Sequence, residues 1–138
     1  MDIRQVMTPN PVICSPDTDV REVARIMRDQ HIGDVLVGDD AGPRGIVTDR
    51  DIVVRALADK SDLSGTTVGE ICTGELHSVD VDATTDELIT LMDAHALRRV
   101  PVLSGGKAVG IVSIGDLAER LDRRSLLGEI SAAPPDRA

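Results

Sequence analysis

Apolar and polar positions alternate in a pattern that occurs twice along the chain. Val20, Val23, Ala24, Ile26 and Met27 recur at helical spacing, as do Leu88, Ile89, Leu91 and Met92. Each run is preceded by a capping-box spacing, Asp19 with Glu22 and Thr84 with Glu87, in which two side chains satisfy orphan N–H groups at a helix start. Short apolar segments, Val12–Cys14 and His77–Val79, come before the helices. Two short strands follow each helix. They are Val35–Val37 and Gly45–Val47 in the first copy, around the turn residues 38–43. In the second copy Val100–Leu103 and Val109–Val112 flank Ser104-Gly105-Gly106. A closing helix is predicted near Asp51–Leu57 and again near Asp116–Leu121.

The two copies hold a single register. Gly45-Ile46-Val47-Thr48 returns as Gly110-Ile111-Val112-Ser113, 65 positions later. The same offset pairs Thr8 with Thr73, Asp17 with Asp82, Met27 with Met92, Val35 with Val100 and Asp51 with Asp116. An ungapped register of that length marks a duplicated unit of about 60 residues, β-α-β-β-α taken twice. The expected fold class is therefore α+β, with two repeats related by a pseudo-twofold. The first repeat is expected over 1–60, the second over 61–124, and a loose tail over 125–138. One copy alone is too small to bury both faces of its sheet, whereas two can cover each other and leave a cleft lined from equivalent positions.

Composition narrows the function. A formal net charge of −9 opposes polynucleotide binding, which draws on a basic face. Phe, Tyr and Trp are absent, which removes the stacking platforms of single-strand binders and leaves the core to Val, Ile, Leu, Met and Ala. No run of about 18 apolar residues suggests a membrane span, and no secretory leader is evident, so the cytoplasm is the expected compartment. Cys14 and Cys72 read as small buried hydrophobes, with a disulfide or redox pair as the alternative. His31, His77 and His95 match no common zinc spacing and fall in different elements, so no metal site is expected. No nucleophile with an assignable base and no Gly-x-x-x-x-Gly-Lys loop occurs, so no catalytic residue is assigned.

The pattern with the most chemistry is a hydroxyl followed three residues later by an acid, Thr48 with Asp51 and Ser113 with Asp116. Each stands where a strand ends and a helix begins. As local structure it is a helix cap. As a site, a carboxylate there can accept both vicinal hydroxyls of a ribose, while the hydroxyl and the helix N-terminus meet a phosphate. One residue can do both.

With the Val6-Met7-Thr8-Pro9 opening and the glycine-apolar-apolar-Thr/Ser-x-x-Asp endings, residues 3–121 resemble tandem CBS (cystathionine beta-synthase) repeats. Val47-Thr48-Asp49-Arg50-Asp51-Ile52 is similar to the small stand-alone members of the hypoxic-response type. The resemblance implies a non-catalytic regulatory module whose cleft holds AMP, ADP, ATP or S-adenosylmethionine, with no required cofactor. It assigns Thr48, Asp51, Ser113 and Asp116 to ribose and phosphate, and places the adenine near Val12, Cys14 and Val79. Arg98-Arg99-Val100-Pro101 matches the basic pair that meets phosphates in some members, whereas Gly33-Asp34 stands at the same place in the first copy. A homodimer is expected too, through closing-helix faces carrying Ile52, Val53, Ala56 and Leu57, and Leu117, Ala118 and Leu121. An interaction protein with an unoccupied cleft is the alternative.

Overall fold

Two elements open the chain, helix α1 (Ile3–Val6) and strand β1 (Thr8–Pro9). Asp2 caps α1 by accepting from the Arg4 N–H, and the Gln5 side chain accepts in turn from the Asp2 N–H. Strand β2 (Ile13–Cys14), helix α2 (Val20–Gln30) and strands β3 (Asp34–Asp39) and β4 (Gly42–Thr48) follow. Helix α3 begins as an α-turn at Asp49–Asp51 and continues π-wound over Ile52–Leu57, where the Ala58 N–H donates to the Val53 carbonyl at 3.0 Å. Helix α4 (Val68–Ile71) then leads to β5 (Val79–Asp80), α5 (Thr85–His95), β6 (Arg99–Ser104), β7 (Lys107–Ser113) and α6 (Ile114–Leu121). This computed structural model describes residues 2–60, 62–72 and 74–121. The tail expected over 125–138 lies outside the described residues. No helix among them is long and apolar enough to cross a membrane.

The compact units in space are cut differently from the repeats in sequence. One unit is Val12–Leu76, and the other joins Met1–Pro11 to the chain from His77 onward. The first unit carries a three-stranded sheet in the order β2-β3-β4. The second carries β1-β7-β6-β5, because β1 pairs antiparallel with β7, Thr8 opposite Ile111 and Pro9 opposite Gly110. Gly110 permits that approach: a Cβ there would lie 2.4 Å from the Met7 sulfur. Helix α4 enters the first unit, where the Val68 N–H donates to Thr18 and the Gly69 N–H to Pro16. The chain thus lends the opening of its first copy to the second unit, and the matching helix of the second copy to the first.

Each unit is held by its own apolar cluster. Val20, Val23, Val35, Val37, Val47 and Ala56 form one with Val68 and Ile71. Ile3, Val6, Leu88, Val100, Val102 and Val112 form the other with Met92 and Leu117. Ile46 of β4 is only half-buried, whereas its partner 65 positions on, Ile111, is buried. The expected closing faces also divide. Ala56 and Leu117 turn into the cores, while Val53, Leu57 and Leu121 stay exposed. At α2 the capping box is half made. Asp19 accepts from the Arg21 N–H, but Glu22 turns to Arg25 at 3.3 Å instead of closing the box. The Thr84–Glu87 box is complete.

Candidate functional site

The last residue of β4 is also the cap of α3. Thr48 Oγ1 accepts from the Asp51 N–H at 3.1 Å, and Asp51 Oδ2 accepts from the Thr48 N–H at 2.9 Å. The same reciprocal pair recurs in the second unit, with Ser113 and Asp116 exchanging two bonds of 3.0 Å. Chain direction locks at both junctions, and each helix N-terminus presents its hydroxyl-acid pair in one geometry. One carboxylate oxygen of each acid serves the cap, and a carboxylate has acceptor sites beyond that one. The Asp51 side chain is 16% exposed, so it is shielded but reachable.

Sheet register decides which charges accompany these pairs. Asp34 stands opposite Thr48 at one end of β3–β4, and Arg99 stands opposite Ser113 at the equivalent end of β6–β7. Both are half-buried. The two ends are therefore alike in backbone and opposite in charge. Arg98 and Arg99 differ in exposure. Arg98 is exposed, holds the Ile114 N–H with its carbonyl at 2.8 Å, and lines an apolar groove between α5 and α6.

Val12, Cys14 and Val79 are half-buried at the margins of the apolar clusters. Cys14 pairs with Val37 and Val79 with Val102, so each lies on the far side of the central strand from its hydroxyl-acid pair. Cys14 also borders a groove of about 340 Å³ with Ile13, Ser15, Gly38, Asp39 and Asp40. Both cysteines are free thiols. Burial, then the nearby Glu22, pushes the Cys14 thiol up; burial first, with Asp51 adding to it, does the same for Cys72.

Arg55 escaped the sequence reading, and two histidines that it kept apart meet. Arg55 Nε lies 3.7 Å from Asp51 Oδ1, and its Nη1 donates to the Ile71 carbonyl at 3.4 Å. Its signal was the i,i+4 spacing from Asp51, an ordinary helical ion-pair spacing. His77 and His95, assigned to separate elements, stack with ring centroids 3.9 Å apart and planes 22° from parallel. Among the described residues no cluster of three or more His, Cys, Asp or Glu side chains gathers for a metal.

The CBS domain model matches residues 3–57 and 68–123. Hypoxic response protein 1 of Mycobacterium tuberculosis is 33% identical over 130 residues, covering 94% of this chain and 91% of that one. The crystal structure of Hypoxic Response Protein I with two coordinated zinc ions aligns with a TM-score of 0.75 at 34% identity, over 87% of this chain and 98% of that one. A CBS domain pair solved in complex with 5′-methylthioadenosine and S-adenosyl-L-methionine aligns with a TM-score of 0.78 over 91% of this chain and 98% of that one. At 23% identity that second likeness speaks for the fold alone. With both repeats matched and the α+β fold shared, the chain belongs to the CBS domain family, as a CBS pair of the hypoxic-response type.

Proposed function

We propose that this CBS pair is a non-catalytic sensor of an adenosine-type ligand (AMP, ADP, ATP or S-adenosylmethionine), which it takes at the strand-to-helix junctions. The observation that carries the reading is the duplicated cap, Thr48 with Asp51 and Ser113 with Asp116, held in one geometry in both units. Each acid can accept a ribose diol while its hydroxyl and helix N-terminus meet a phosphate. In each sheet one strand separates the junction from the apolar residues assigned to the base, Val12 and Cys14 or Val79. Two strand spacings amount to about 10 Å, and the three-residue offset of Cys14 and Val79 along the central strand brings their distance from the junctions to about 14 Å. An anionic ligand prefers the second repeat, where Arg99 rather than Asp34 stands across from the hydroxyl. The reading places the protein in the cytoplasm, where two free thiols are the ordinary state.

Thermal unfolding with AMP, ATP and S-adenosylmethionine tests the reading. A ligand held only by the native state at a hundred times its Kd adds about 2.7 kcal/mol. No shift with any of them would sink the proposal, and turnover of one of them would make the protein an enzyme.

A second reading, an interaction protein with no nucleotide, is favoured by the groove between α5 and α6. It has a volume of about 790 Å³ and is lined by Ile89, Ile114 and Leu121, each close to half exposed. In either reading we expect a homodimer in which equivalent helix faces meet across a twofold axis. Light scattering that finds only monomer at high concentration counts against it.

A further inference from the structure

The acid of the first repeat already has company. The cap occupies Asp51 Oδ2, and the Arg55 guanidinium sits against Oδ1 at 3.7 Å. A diol that engages a carboxylate through both hydroxyls needs the oxygen facing Arg55. Arg55 is not free to swing aside without loss, because its Nη1 also donates to the Ile71 carbonyl. Ile71 is buried at the end of α4, so that carbonyl is a fixed anchor. The guanidinium is thus tethered at two points, and holding it beside Asp51 costs less side-chain entropy than an isolated surface pair would. Winding contributes as well. Arg55 falls in the π-wound stretch Ile52–Leu57, whereas α6 is α-helical throughout its length. Arg120, 65 positions after Arg55, makes no ion pair with Asp116 among the described residues.

We propose that Arg55 is a built-in competitor for the Asp51 carboxylate, which keeps the first repeat's diol acceptor self-occupied and makes the second repeat the primary adenosyl site. The inference rests on the ligand reading above and adds its regulation. An ion pair with one half-exposed partner yields to a competitor, so the first end is weakened rather than abolished. Releasing it raises affinity there about two- to fivefold.

Adenosine is the probe, because it carries the diol without a phosphate that Arg55 could attract. Backbone amide shifts near residues 48–51 and 113–116 read the two ends separately in the full chain. In the parent protein the Ser113–Asp116 end saturates first. In Arg55→Gln the Thr48–Asp51 end tightens about two- to fivefold while the other end is unchanged, and Arg120→Gln alters neither. Arg55→Met keeps the aliphatic stem and gives the same result, which guards against a poorly folded Gln variant. Unchanged or weaker adenosine binding at the first end in both Arg55 variants overturns the proposal. A loss confined to AMP in those variants overturns it too, since Arg55 is then a phosphate ligand. Absence of any adenosine response at the Ser113–Asp116 end of the parent protein instead overturns the ligand reading, and it is read at different amides.

Discussion

Asp116 gives one carboxylate oxygen to the Ser113 N–H at 3.0 Å, and that bond separates what its loss does to folding from what it does to binding. Losing a first-turn acid costs about 0.3–1 kcal/mol of stability through the helix dipole. Losing charge-assisted bonds to a ribose diol costs about 1.5–3 kcal/mol of affinity, or roughly ten- to a hundredfold. Asp116→Ala is expected to weaken AMP by that factor, and more than Asp51→Ala does, because Arg99 stands beside the second acid's cap and Asp34 beside the first. Calorimetric titration of both variants decides it, and equal, parental affinities in folded proteins leave the motif as a cap only. The thiols make a second prediction. Burial raises both in the native state, so the unfolded chain releases their protons first. Their contribution to stability is therefore complete below the ordinary thiol range and is lost as pH rises through it. With no tyrosine in the chain, few other groups titrate there. Urea melts should weaken from pH 8 to pH 10 less in a Cys14→Ala, Cys72→Ala protein than in the parent; equal slopes would refute the cause.

At the scale of elements, β1 reaches β7 only because position 110 has no side chain. A Cβ there would come within 2.4 Å of the Met7 sulfur and 3.0 Å of the Thr8 carbonyl oxygen. The thioether can move, but the backbone oxygen belongs to the strand pair itself. Gly110→Ala should therefore cost about 1–3 kcal/mol by overpacking, and it should speed exchange at the Thr8 and Asn10 amides before it reaches the β6–β7 hairpin. Hydrogen exchange at the Asn10 amide, which donates to Val109 at 3.3 Å, reports it directly, and unaltered protection there would contradict the argument. The strands and long helices were legible because eleven-residue helices and alternating strands carry a period. Helices α1 and α4 were missed because four residues show no period at all. Their trace was the capping spacing, Asp2 with Gln5 and Thr67 with Glu70. The site was half legible. The hydroxyl-acid pairs could be read from the repeat, but the placement of Arg99 opposite Ser113 depends on the β6–β7 register, and the contact of Arg55 with Ile71 depends on where α4 docks.

For the molecule as a whole, the exchange of opening segments ties the two repeats together through the chain itself. Ile3 and Val6 precede the first repeat's strands in sequence yet are buried in the apolar cluster of the second unit. Each fully buried aliphatic side chain contributes about 1.5–3 kcal/mol, so the two together supply about 3–6 kcal/mol of that unit's cohesion. Small domains have about 5–15 kcal/mol in total. Deleting residues 1–11 also removes β1 and leaves the β7 edge unpaired. The first unit keeps its own cluster and its own α4, all drawn from Val12–Leu76. The shortened chain should then lose protection in β6, β7 and α5 while β3, β4 and α2 retain it. A sequence-ordered organisation, in which residues 1–60 form one self-contained repeat, makes the opposite forecast, with the damage falling on α2 and β3. Hydrogen exchange across both units of the truncated protein distinguishes them. Protection lost first from α2 and β3 would show that the opening segment serves the repeat it precedes.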